Sequence, residues 1–335
     1  MDKTKLIEVM DTAKKAEENQ NFFNASAFYK EALELAVKLQ DSKSIKICKN
    51  KIVEMNKKSI ESGKDFKEVE TTTQLTKEQQ EAIKKIIEHV VGIKNINDSL
   101  KLIGQERIFC PDVQTVEKQT SSTIPITYQI ATLSTISDNG HNLRGGSKGN
   151  YSWFVQMYDI HQRSIIDMYI NRIFFMLIKD KKLTLQNLDE YFTNSGLFNP
   201  DQLKIIKVGL ERYFKEDYIS ALHILVPQFE SFFLEIAKKF GINIVAIDNK
   251  MDIATRTIIL SENHLDSDEF KKIFGENFCR QVKFILFEPM GYKIRHKVAH
   301  GEIKSSECNF SNTTLIIYLY LVLLGRIVVK KKDED

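Results

Sequence analysis

The chain has 335 residues, enough for about two domains of roughly 150 residues each. Apolar residues make up 42% and charged residues 28%, the balance of a globular protein with a real core, and the net charge of +3 gives no general basic coat for nucleic acid. Fourteen glycines and five prolines are about half the ordinary share, which excludes collagen-like and low-complexity classes and favours helices over turn-rich sandwiches and barrels.

The N-terminal stretch MDKTKLIEVMDTAKK is charged and amphipathic, so it does not read as a signal peptide. Residues 3–58 form the first unit. Phe22 and Tyr29 alternate with Ala25 and Ala32 at helical spacing. Small residues let a neighbouring helix approach, and the aromatics fill the groove beside them. This resembles the second half of a tetratricopeptide unit, with a first helix near residues 5–19. A solenoid needs about three such units. The single one is expected to cap the rest of the chain or to bind a protein partner as a peptide-docking hairpin.

Residues 62–76 are polar and aperiodic and read as a linker, followed by an amphipathic helix over 77–91. Residues 95–150 read as the least regular stretch. They carry Gly104, Pro111, Pro125, a Ser/Thr cluster at 120–123 and a basic glycine-rich run from Gly140 to Gly149. The run lacks the GxxxxGK[ST] and GxGxxG patterns, so a loop is favoured over a phosphate cradle.

Helices are expected again over 153–178, 183–192, 200–214 and 218–240, the last between a plausible cap, Asp217, and a stop, Gly241. A kink is expected at Pro227. A short strand or turn follows over 241–247, then helices over 267–274 and 278–287. A break at Pro289 and Gly291 precedes a short segment ending at Gly301. The run LIIYLYLVLL at 315–324 falls short of the about 18–20 residues of a membrane span, so a buried helix over 315–329 is expected. The expected fold class is all-α: an N-terminal helical hairpin unit (residues 1–62), a linker and irregular middle segment (63–150) and a C-terminal helical bundle (151–335).

Four scattered cysteines, Cys48, Cys110, Cys279 and Cys308, form no C-x2-C pair. They indicate neither a zinc ribbon nor a disulfide framework, and they suit a reducing, cytoplasmic compartment. No cofactor is indicated.

The chemistry concentrates in Gly291–Gly301, which contains Arg295, His296 and His300. About 65 residues upstream stands ALHILVPQFESFF, with His223 and Glu230 on one helical face. A helix of the form A-L-H-x-L-V-P-x-x-E, followed by R-H-K-V-A-H-G, resembles the DUF4209 branch of the HEPN superfamily and its R-[polar]-x3-H motif. His296 stands where asparagine is usual in that branch. The resemblance covers residues 151–329, best over 217–303, and does not reach the N-terminal half. It implies a HEPN-like helical domain, a metal-independent endoribonuclease acting in defence or stress, and a homodimer whose two motifs face each other across a composite cleft.

The residue types suit such chemistry in their own right. An arginine can grip two phosphate oxygens with its planar fork. A histidine can give or take a proton near neutral pH. Arg295 would hold the scissile phosphate, His300 would act as acid–base group, and His296 would bond the phosphate or ribose. Glu230 would orient Arg295 or His300. Arg295→Ala and His300→Ala are then expected to abolish cleavage with little change in stability.

On an ideal helix Arg295 and His300 lie about 140° apart and His296 and His300 about 40° apart. The twofold axis of a dimer is expected near the apolar C-terminal helix and the motif helix. Other readings stay open. Arg295 could salt-bridge Glu230 or Glu288 in a catalytically silent scaffold or RNA-binding protein. His296 and His300 could ligate zinc with Cys308, Cys279 or a carboxylate, although no metal is the preferred reading. His161 and Arg163 read as surface residues.

Overall fold

Residues 2–64, 74–125, 135–137, 139–144, 150–248 and 254–327 are described by the computed structural model. Their contacts separate into two units, one drawn from 1–74 and 125–149, the other from 75–124 and 150–335. Among the described residues the regular structure is helical apart from two short antiparallel hairpins, so the protein is all-α as expected.

The first unit holds three helices, α1 (Asp2–Glu18), α2 (Phe22–Lys38) and α3 (Ser42–Ser62). Asn21 caps α2 by accepting from the Asn24 N–H, and Asp41 caps α3 by accepting from the N–H groups of Lys43 and Ser44. Ala13, Ala25, Ala32 and Ala36 are fully buried around Tyr29. Alanines at the contacts let the helix backbones close on one another.

A hairpin of β1 (Thr135–Ile136) and β2 (Asn142–Arg144) belongs to the same unit. Its turn passes through Gly140, at φ 81, where a Cβ would strike the Val53 carbonyl and come within 3.0 Å of the Lys57 nitrogen. Part of the glycine-rich run is therefore a turn seated on α3. Residues 145–149 of that run lie outside the described residues, as do most of the linker and the tail after 327.

Asn56 is the polar hub of this contact. Its Nδ2 donates to the Gly140 carbonyl at 2.8 Å, and its Oδ1 accepts from Ser26 Oγ at 2.5 Å. Asn56 and Ser26 are both 2% exposed. Buried polar groups that lose their partners cost about 1–3 kcal/mol. Asn56→Ala is accordingly expected to lower the stability of the first unit by about 2 kcal/mol, read by urea unfolding of the full chain. An unchanged midpoint would show that the hairpin does not dock on α3 in solution.

The second unit begins with α4 (Lys77–Gly92), opened by a Thr76–Gln79 capping box, then α5 (Ile96–Gln105) and α6 (Val113–Ser122). The expectation of an irregular stretch over 95–150 is corrected here: its first half is helical. Gly104 reads as a break in the sequence, yet it lies inside α5. It is small because the backbone of a partner helix passes directly over it.

Helices α7 (Asn150–Ile165) and α8 (Asn171–Lys179) are joined by a π-helical turn, Ile166–Ile170, so the expected helix over 153–178 is continuous but widened at its centre. Then come α9 (Leu185–Asn194), α10 (Pro200–Phe214) and α11 (Tyr218–Lys239), which runs through Pro227. A hairpin of two four-residue strands, β3 (Val245–Asp248) and β4 (Ala254–Thr257), leads to α12 (Glu262–Asp266), α13 (Asp268–Phe274), α14 (Glu276–Leu286), α15 (Ile294–His300) and α16 (Phe310–Arg326).

Helix α16 is the axis of the second unit: every residue from Thr313 to Gly325 is buried. Its polar groups are satisfied inside the core. Tyr318 donates to the Phe109 carbonyl, Tyr320 donates to the Leu225 carbonyl, and Thr314 shares a hydrogen bond with Tyr213. Residues 313–325 are thus enclosed by their own unit. Among the described residues only α11 is long and apolar enough to cross a membrane by length and composition, and half of its most apolar window is buried inside the unit.

Candidate functional site

Helix α15 is two turns long and is fixed at both ends by left-handed backbone, Lys293 at φ 54 and Gly301 at φ 66. The chain reaches it through Gly291, where a Cβ would collide with the Phe284 carbonyl of α14. Ile294, 2% exposed, pins the helix to the core. The remaining side chains are presented around the rim.

Arg295 faces α11. Its Nε donates to Glu230 Oε2 at 2.8 Å and its Nη2 to Glu230 Oε1 at 3.3 Å. Glu230 Oε1 also accepts from the Leu260 N–H at 3.0 Å. The guanidinium lies 5.9 Å from the centre of the Phe287 ring. The two side chains are only 21% and 14% exposed. Of the two carboxylates considered from sequence, Glu230 is the one that pairs with Arg295. The pair ties α15, α11 and the segment after β4 together, and the fork that would grip a phosphate is turned toward a carboxylate. Arg295→Ala is therefore not expected to leave stability near wild type, which revises the expectation drawn from sequence.

His296 and His300 lie on another side of α15, as their four-residue spacing predicts, with ring centres 4.3 Å apart. His300 is exposed, and His296 is 38% exposed with Nε2 3.7 Å from Glu302 Oε2. Burial, helped by the charges of Lys293 and His300, holds His296 below the ordinary histidine range, against the opposing pull of Glu302. His296 is thus neutral near pH 7. Lys293 reaches Glu302 at 3.5 Å, and Lys297 pairs with Glu307.

Other sequence candidates fall away from this edge. His223 is exposed and bonds the Ile219 carbonyl one turn back at 2.8 Å. His161 contacts Gln119 at 3.0 Å. Cys279 is fully buried, and burial pushes its thiol up to about 12. Among the described residues no three His, Cys, Asp or Glu side chains come together as a metal-ligand set.

Arg163 is exposed, as read from sequence; its guanidinium lies over the Tyr292 ring, 4.8 Å from its centre, and lines a cavity beside α15. Sequence reasoning missed the π turn at Ile166–Ile170. No family model matches the chain, and no curated protein or solved structure is significantly similar to it.

Proposed function

We propose that the second unit is a HEPN-like, metal-independent endoribonuclease whose reacting groups are His296 and His300, with Arg295 and Glu230 as positioning residues. The observation that carries this reading is the pair of adjacent, solvent-reachable imidazoles on a short helix, anchored by a charged fork on a different side. The ribose 2′-OH attacks the adjacent phosphorus. His296, as base, takes the 2′-OH proton while the 2′-O–P bond forms. The P–O5′ bond breaks, and a histidinium, His300, gives its proton to the leaving oxygen. The products are a 2′,3′-cyclic phosphate and a 5′-OH end.

Base and acid must stand on opposite sides of the phosphorus, whereas these two rings stand side by side. The proposal therefore includes a homodimer in which one copy supplies the base and its mate the acid. The contact is made through the exposed face of α15 rather than through α16. The free cysteines fit a cytoplasmic setting. A role in defence or stress belongs to the same proposal, as does a protein partner at the N-terminal hairpin.

A second reading is favoured by the Arg295–Glu230 pair itself: a silent scaffold or RNA binder in which the motif only holds helices together. Full-length protein incubated with RNA in EDTA separates the two. Cleavage is expected, with cyclic phosphate ends, a loss of at least about a hundredfold in His296→Ala and His300→Ala, and wild-type thermal stability in both. The low-pH limb of the rate should fall below pH 6.5, because the base titrates below the ordinary histidine value. RNA left intact by the wild type, or cut equally by both variants, decides for the scaffold.

A further inference from the structure

Beside the histidine face lies a cavity of about 310 Å³ that the proposed chemistry does not use. It is walled by the π turn of the α7–α8 helix, the turn before α15, α15 itself and the stretch that leads into α16. Ile294 and Lys297 are its contributions from α15. On the helical wheel Lys297 lies about 60° from His300 and Ile294 about 120° from it, on the side opposite to Arg295. The Lys297 edge of the cavity therefore flanks the histidines, away from the Arg295–Glu230 pair.

Its two cations are already matched, and its Asp167 carboxylate is held by a neutral amide. Arg163 bonds Asp159 at 2.7 Å, Lys297 pairs with Glu307, and Asp167 accepts from Asn171. A bare anion would find no unmatched cation there. Hydrogen-bonding capacity is available instead: Asn312 Oδ1, Ser306 Oγ and the Tyr292 hydroxyl have no hydrogen-bond partner among the described residues, and all three residues line the cavity. Burial pushes the Tyr292 hydroxyl well above its ordinary range, so it remains a proton donor.

One wall carries the Arg163 guanidinium, which lies over the Tyr292 ring 4.8 Å from its centre. Arginine planes and aromatic rings are the surfaces on which unstacked bases of RNA settle. The volume lies at the small end of ligand cavities, the size of a nucleoside rather than of a peptide or lipid. The π turn adds an independent pointer. Such turns occur mostly at functional positions, and this one contains Asp167 on the cavity wall. Asn171, just after the turn, bonds Ser311 across the rim at 2.8 Å.

The geometry points to a base-reading subsite: this cavity takes one unstacked nucleobase of a single-stranded RNA whose phosphodiester lies at His296 and His300. The inference rests on the proposed action on RNA and adds how the strand is selected. Asn312 and Asp167 read the base edge, and the Arg163 guanidinium, backed by Tyr292, supports its face.

Full-length His300→Ala protein, used to prevent cleavage, is titrated with labelled short homopolymers of A, U, C and G by fluorescence anisotropy. It should bind one homopolymer about tenfold more tightly than the poorest, the worth of one well-placed set of hydrogen bonds. Adding Asn312→Ala or Ser306→Val should reduce that preference to within about twofold. Ser306 sits in an exposed turn, so its variant keeps the test open should Asn312→Ala fail to fold. Equal binding of all four homopolymers, or a preference untouched by both variants, overturns the subsite. The wild-type cleavage assay is read separately. RNA cut by the wild type with no base preference removes the subsite alone. A preference lost in the variants, with RNA left uncut, removes the nuclease alone.

Discussion

Glu230→Ala should lower the unfolding free energy by about 3 kcal/mol, measured by urea denaturation of the full chain. Breaking a buried ion pair from one side typically costs about 3–5 kcal/mol, because the remaining charge is stranded out of water. Here the lower end applies, since Arg295 keeps 21% of its side-chain surface in solvent. Two donors of the guanidinium and the Leu260 N–H all lose their acceptor at once. Arg295→Lys should recover only part of the stability, because an ammonium cannot span both carboxylate oxygens. The double variant Glu230→Leu with Arg295→Met should lose less than Glu230→Ala alone, since it leaves no unpaired charge. If Glu230→Ala unfolds at the wild-type midpoint, the pair is not formed in solution and Arg295 returns as a candidate phosphate ligand.

The second large effect lies where α5 crosses α16. A Cβ on Gly104 would meet the Leu321 carbonyl, with the Leu321 carbonyl carbon at 2.8 Å, and Gly325 lies opposite it, its own Cβ position 3.0 Å from Gly104. Neither obstacle is a side chain that can swing away. Both are backbone of the most deeply buried helix in the unit. Gly104→Ala should therefore cost about 3 kcal/mol or more, at the upper end of overpacking changes, despite alanine's better helix propensity. Gly92→Ala is the matching control: nothing lies within 4 Å of a Cβ there. It should be neutral or stabilise by up to about 1 kcal/mol. Opposite signs for one substitution at two helical glycines would establish the crossing by unfolding measurements alone.

The class of the fold and most helix positions were legible from the chain. A cap such as Asp217, together with apolar periodicity, is a local signal, and local signals mark where a helix starts and which side it buries. The span 96–122 was misread for a related reason. Gly104 and Pro111 are breakers by local rules, and only the backbone crossing of α16 explains a glycine inside α5. The side-by-side placement of His296 and His300 was legible because four residues of helix bring side chains to one face. The partner of Arg295 was not. Glu230 lies 65 residues away, and two candidate carboxylates matched it equally well in sequence.

Residue order alone settled that this chain is helical, that its C-terminal apolar run is interior, and that two imidazoles share one edge of a short helix. Helical geometry is periodic, so those features follow from spacing. Tertiary packing alone decided that the arginine of the motif is held by a carboxylate, that α16 is enclosed by its own unit, and that a polar cavity opens beside the histidines. Each of these depends on groups far apart in the chain meeting at atomic distance, and no local period encodes such a meeting.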